Sequence, residues 1–174
     1  RVPIVYIAGN HEFYGHPIDP TYGKLREGAA LNNIHFLEND SIVVDGVRFL
    51  GTTLWTDYRL ELDPIKSMAY CERGLNDHRL IRTGRHTFTT EDALARHDLA
   101  RTWLETELAK PFDGKTVVVT HHAPHPLSVH PRYIGNPLNA AFVSDLSELM
   151  PGVDLWLHGH VHDSFDYQVG QCRV

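Results

Sequence analysis

Val153-Asp-Leu-Trp-Leu157 runs directly into His158-Gly-His-Val-His162, an apolar stretch followed by three histidines in five residues. The stretch lacks the polar alternation of a half-exposed strand, so it reads as a buried strand of an α/β core. Open α/β sheets place ligand sites at the carboxyl ends of their strands, which is where these histidines stand. Two other segments repeat the arrangement. Val117 to Thr120 leads into His121-His122-Ala-Pro124, and Ile4 to Ala8 leads into Gly9-Asn10-His11-Glu12. Three strand ends therefore carry imidazoles, with one amide oxygen and one carboxylate beside them, and clustered imidazoles suit metal or acid/base chemistry.

The His160-x-His162 alternation, taken as extended backbone, would send both rings to one side, with Gly159 allowing close backbone approach. A single histidine at a strand end is more often a satisfied polar residue; three such ends in order carry the metal reading. His122 and His158 read as supporting or packing residues, and Glu12 as a loop anchor rather than a ligand.

Between the first two strands, Ile42 to Val44 and Val47 to Leu50 flank Asp45-Gly46, a pair suited to a type I′ hairpin turn. A second hairpin is expected at Gly170-Gln171. The spacing of Leu94, Ala95, Leu99, Thr102, Trp103 and Glu107 predicts a helix over about 91–108, capped by Thr89 or Thr90 and ended by Lys110-Pro111. A shorter helix is expected over about 144–150, before Pro151-Gly152. The stretches 57–88 and 125–142 hold no sustained period and read as loops. Trp55, Trp103 and Trp156 read as core residues.

Composition narrows the function. The 174 residues carry 16 basic and 22 acidic side chains, a net charge of −6 without long runs of either sign. That balance argues against a nucleic-acid-binding or membrane-binding surface, and nothing approaches the ~20 apolar residues of a membrane span. Cys71 and Cys172 are too few and too distant for a disulfide framework, which favours free thiols and a cytoplasmic setting. The 13 histidines are the compositional anomaly. No repeat or linker divides the chain, so a single domain over 1–174 is expected.

In this order, Gly9-Asn10-His11-Glu12, the strand ending in His121, and Gly159-His160-Val-His162 resemble the motifs of the calcineurin-like metallophosphoesterases. The stretches Gly9 to Gly15, Gly51 to Asp57 and Thr120 to Pro124 are similar to a bacterial branch of uncharacterised phosphohydrolases in that family. The resemblance implies an α/β/β/α sandwich of mixed sheets flanked by helices. It further implies a divalent-metal-dependent phosphodiesterase or phosphomonoesterase with a metal-bound hydroxide as nucleophile. Asn10, His121 and His160 would bind one metal, His162 a second, and His11 would protonate the leaving group. The ions would be manganese, iron, zinc or nickel, two in the family's full site and a single one as an open expectation here. Tyr14, His125, Tyr133 and Asn139, in or near loops after the motifs, are candidates for contact with a small phosphate-ester substrate.

The family also has Asp-x-His and Gly-Asp-x-x-Asp motifs upstream, and neither occurs in the eight residues before Gly9. The expectation is a domain lacking its first strands, with Ile4 to Ala8 as an uncovered edge inviting a homo-oligomer. The alternative reading is a non-catalytic domain that binds one metal or a protein partner.

Overall fold

The computed structural model describes residues 2–60 and 63–174. The chain runs through β1 (Val5–Tyr6), α1 (Ile18–Leu31), β2 (His35–Phe36), β3 (Asp40–Val44) and β4 (Val47–Thr52). It continues with α2 (Pro64–Gly74), α3 (Asp77–Leu80), β5 (Arg82–Thr83), β6 (His86–Thr87) and α4 (Thr90–Leu108). The last strands are β7 (Lys115–Thr120), β8 (Leu155–Leu157), β9 (Gln168–Val169) and β10 (Cys172–Arg173).

The main sheet has the order β3-β4-β7-β8-β10-β9. β4, β7, β8 and β10 pair in parallel, and β3 and β9 close the two edges antiparallel. The parallel register aligns Thr52 with Thr120 and Val119 with Leu157, so the segments after β4, β7 and β8 leave the sheet at one end. The Asp45-Gly46 turn forms as expected, with φ of 50° and 78°, and Gly170 turns the second hairpin at φ 60°.

Two layers cover this sheet. Leu50, Val118 and Trp156, one from each of three adjacent strands, pack with Ala100 and Leu104 of α4. The next residue along β4, Gly51, must face the opposite way. A Cβ there would lie 2.4 Å from Leu37 Cβ and 2.9 Å from Ile7 Cγ2, so the missing side chain is what lets the β1-β2 layer approach the sheet. Phe36 of that layer shares a second apolar cluster with Ile18 and Ala29 of α1, and with Phe13, Trp55 and Phe88. A mixed sheet between helical and mixed layers is the α/β architecture expected.

Several local expectations give way. The buried strand over Ile4 to Ala8 is only Val5–Tyr6, half-exposed and paired to β2 alone. α4 starts at a Thr89 capping box with Asp92, as its sequence suggests, but its face is rotated. Leu99 is 67% exposed, and the buried stripe is Ala93, His97, Ala100 and Leu104. His97 reads as polar in sequence yet lies fully inside, which disguises the true stripe.

The segment 144–150 contains only a 3-10 turn over Ser147–Leu149. Ser144 N–H bonds to Ala123 O and Leu146 N–H to Pro124 O, which lays the start of the segment alongside the chain after β7. The stretch 57–88, apart from 61–62 outside the described residues, holds α2, α3 and the β5-β6 hairpin rather than loops. Asp63 caps α2 through Lys66 N–H, and Pro64 occupies its first turn. α1 also went unread, because Pro20, Gly23 and Gly28 interrupt a stripe of Ile18, Tyr22, Leu25 and Ala29 that is regular at helical spacing. The 125–142 stretch is a chain of 3-10 turns closed at its base by an Ala123–Val143 bridge. Cys71 and Cys172 are free and buried. Among the described residues no helix is long and apolar enough to cross a membrane.

Candidate metal centre

Asn10, His121 and His160 come from three separate strand ends and meet at one point. His121 Nε2 lies 2.9 Å from Asn10 Oδ1 and 3.1 Å from His160 Nδ1. Without a cation, one proton on His121 Nε2 satisfies both acceptors. Donor atoms about 2.1 Å from one ion and at right angles around it sit about 3.0 Å apart, so His121 Nε2 stands at ligand-to-ligand spacing from each of the other two atoms. The other ring nitrogen, His160 Nε2, is buried without a hydrogen-bond partner and leaves Nδ1 as the atom turned to the convergence. The residues present therefore fit one divalent cation.

The imidazoles are held neutral, as ligation requires. Burial pulls His121 down to about 3, with His122 adding to the shift. Burial does the same to His160, well below its ordinary value, reinforced by His122, His121 and His162. The negative charges of Glu12 and Asp77 act on His121 in the opposite direction, so the field behind the site favours a cation.

The surrounding shell is built from hydrogen bonds. Gly9 N–H donates to Glu12 Oε2 at 2.9 Å, and Tyr6 OH donates to Oε1 at 3.1 Å, so Glu12 anchors the turn as its sequence position suggests. Asn10 Nδ2 donates to Asp77 Oδ1 at 2.8 Å, which fixes the amide with its oxygen toward His121. Tyr14 OH donates to the same carboxylate oxygen at 2.6 Å. Burial, with Asp77 beside it, raises the Tyr14 phenol well above its ordinary range.

Gly9 has a steric role too. A Cβ on it would stand 2.6 to 2.9 Å from three atoms of the His121 ring. Gly159, expected to be the close-approach position, would bring its Cβ no nearer to His121 than 3.6 Å, an ordinary contact.

The two histidines of His160-x-His162 do not share a side of extended backbone. Both take left-handed backbone, φ 65° and 55°, around a Val161 N–H to Gly159 O bond of 2.7 Å. His160 is thereby turned inward and His162 is left exposed. His162 is close enough to depress His160 electrostatically but does not join the converging atoms. Among the described residues no three His, Cys, Asp or Glu side chains group as a metal site, since the converging set holds two imidazoles and an amide. His11 is exposed, its ring 4.5 Å from that of Tyr14.

His122 supports the site from beneath. It is buried, its Nδ1 is 3.1 Å from Thr53 O, and its ring stands 4.3 Å from His160 and 5.2 Å from Trp55. His158 Nε2 is instead 2.8 Å from Ser128 Oγ. Of the substrate-contact candidates, Tyr14 belongs to the Asn10-Asp77 network, and Tyr133 and Asn139 line a nearby cavity. His125 accepts Leu127 N–H on Nδ1 at 3.1 Å. Sequence reasoning missed Asp77, whose partner Asn10 is 67 residues away, and Phe142, which stacks on His160 at 4.3 Å.

A mixed sheet between layers, with Asn10, His121 and His160 brought together at its strand ends, defines an α/β protein with a candidate metal site. The model of the calcineurin-like phosphoesterases matches residues 1–164, and the chain belongs to that family. It is similar to an uncharacterized protein of Acanthamoeba polyphaga mimivirus, 27% identical over 176 residues. That match covers 91% of this chain and 61% of the viral protein's length. The crystal structure of a phosphopantetheinyl hydrolase from Mycobacterium tuberculosis superimposes with a TM-score of 0.67 at 17% identity. The superposition covers 98% of this chain and 67% of that one, which establishes likeness of fold.

Proposed function

We propose that this chain hydrolyses a phosphate ester, a diester or a monoester, at a divalent cation held by Asn10, His121 and His160. The observation that carries the reading is that His121 Nε2 meets Asn10 Oδ1 at 2.9 Å and His160 Nδ1 at 3.1 Å, with buried, neutral imidazoles. The chemistry a divalent cation supplies in such a site is neutralisation of phosphoryl charge and a lowered pKa for water. Asp77 holds the Asn10 amide in register, and Glu12 holds the turn that carries it. His11 is exposed with its ring against Tyr14, where it can give a proton to the departing oxygen and recover one from solvent. His162, exposed two residues beyond His160 on the Gly159–His162 turn, would be the ligand of a second ion.

The test is turnover of 4-nitrophenyl phosphate and bis(4-nitrophenyl) phosphate with manganese, nickel, zinc or iron. His11→Ala should lower kcat by roughly 10²- to 10⁴-fold with metal content and melting temperature kept. Asn10→Ala should lose metal and activity together. Absence of turnover with every metal would count decisively against the reading. A second reading, one bound metal or a protein partner without turnover, draws on the exposure of His162 and on the carboxylate-free donor set. Stoichiometric metal binding by an inactive protein is its signature.

A further inference from the structure

A cavity of about 200 Å³ opens beside the metal-binding residues, walled by Val129, Tyr133, Leu138, Phe142, Val143 and Val161. Two of these walls belong to the site. The Phe142 ring stacks on His160 with centroids 4.3 Å apart and 29° between planes, and Val161 lies between His160 and His162 in the chain.

Several polar groups of the lining are already engaged. His130 Nδ1 accepts Arg132 N–H at 3.1 Å while its Nε2 faces Asp163 at 3.3 Å. Asn136 Oδ1 accepts Leu138 N–H at 3.0 Å, and Asn139 Nδ2 donates to Tyr133 O at 2.6 Å. Ser128 Oγ is shared between His158 Nε2 at 2.8 Å and Tyr167 OH at 2.6 Å. These bonds take up part of the polar lining, and methyl groups and ring faces are the main surface offered to a ligand.

Size limits the occupant. An apolar cavity of ~150 Å³ accepts benzene, whereas drug-sized ligands occupy pockets of ~300 Å³ and more. About 200 Å³ takes one ring or a short branched alkyl chain.

We propose that this cavity receives the apolar leaving group of the phosphate ester, so that the protein selects esters of small hydrophobic alcohols. The assignment rests on the phosphoesterase reading above. In the reaction a water oxygen bonds to phosphorus and the bond from phosphorus to the leaving oxygen breaks. The His11 proton goes to that oxygen, and the proton released by water returns through solvent. The alcohol's ring or chain then lies against Phe142 and Val161, where displacement of water from apolar walls favours it.

Two measurements test the assignment. Benzyl alcohol alone is titrated into the protein and followed through the methyl resonances of Val129, Val143 and Val161. Benzyl phosphate and methyl phosphate, whose alcohols are of similar acidity, are then compared as substrates. We expect benzyl alcohol to shift those methyls. We also expect kcat/KM for benzyl phosphate to exceed that for methyl phosphate on the order of 100-fold. Val129→Phe, which fills the cavity, should cut the benzyl value by at least roughly 10-fold and leave methyl phosphate within about 2-fold. Tyr133→Ala removes an exposed wall, should weaken benzyl alcohol binding, and guards against a Val129→Phe chain that fails to fold. Unmoved methyl resonances overturn the assignment, as does metal-dependent turnover without preference between the esters. Benzyl alcohol binding with no turnover, by any metal, of these esters, of 4-nitrophenyl phosphate or of bis(4-nitrophenyl) phosphate overturns the phosphoesterase reading and the leaving-group role with it.

Discussion

Replacing Gly9 by alanine probes the most confined point of the metal centre. The new Cβ would sit 2.6 Å from His121 Cε1, 2.7 Å from Nδ1 and 2.9 Å from Nε2, where ordinary contact begins near 3.4 Å. His121 must therefore retreat by close to an ångström, yet its Nε2 is set by Asn10 Oδ1 on one side and His160 Nδ1 on the other. Overpacking of this kind costs about 1–3 kcal/mol, which in a chain of this length lowers Tm by roughly 3–10 °C. A displaced ligand should weaken metal binding by roughly 10- to 100-fold, the range seen when the support of a metal ligand is removed. Calorimetric titration with manganese or zinc, beside thermal unfolding of the metal-free protein, reads both quantities. Gly159→Ala is the control, because its Cβ would stop 3.6 Å from His121 and should leave both nearly unchanged. Equal metal affinity in Gly9→Ala and the parent protein would refute the inference that Asn10, His121 and His160 form one ligand set.

Three further outcomes follow from particular contacts. Asp77→Ala strands Asn10 Nδ2 and Tyr14 OH, so unfolding free energy should fall by about 1–3 kcal/mol and metal affinity by roughly 10-fold or more; a loss confined to stability would separate Asp77 from the site. His122 is buried and its folded pKa is pulled down to about 4 by burial, below the unfolded 6.5, so the unfolded chain binds the extra proton between those values. Stability from this residue is complete above pH 6.5 and is lost as pH falls toward 4, by about 3 kcal/mol, which denaturant titration of chelator-treated protein across that window would detect. Arg48 donates to Glu107 O at 3.0 Å and Lys110 O at 3.3 Å while its guanidinium lies 5.0 Å from the centre of the Phe112 ring, so Arg48→Ala should cost about 2–4 kcal/mol in chemical unfolding by uncapping the end of α4.

The sequence was legible where a single short range of residues carries the signal. Asp45-Gly46 announces its hairpin because that pair tolerates positive φ, and Thr89 announces α4 because a capping side chain acts on its own next turn. Expectations failed where a segment's partners lie far along the chain. The rotated face of α4 shows this, since His97 counts as polar in any local pattern until Trp55 O, 3.4 Å from its Nδ1, supplies a partner 42 residues away. So does the segment after β7, where backbone bonds from 144 and 146 back to 123 and 124 replace the expected helix.

The candidate site divides in the same way. The sequence by itself determined which residue types stand at the three strand ends, because Gly-Asn-His-Glu, His-His and Gly-His-x-His are local patterns with a local reason to follow strands. Only the tertiary structure decided that His121 meets both Asn10 and His160 within 3.1 Å while His162 stays outside. It also decided that Gly9 rather than Gly159 makes room for a ligand ring, and that Asp77 aims the Asn10 amide. The physical reason is range. Hydrogen-bond spacing and steric contact act over about 3–4 Å in space, and residues 10, 77, 121 and 160 meet there only after the sheet layers have packed.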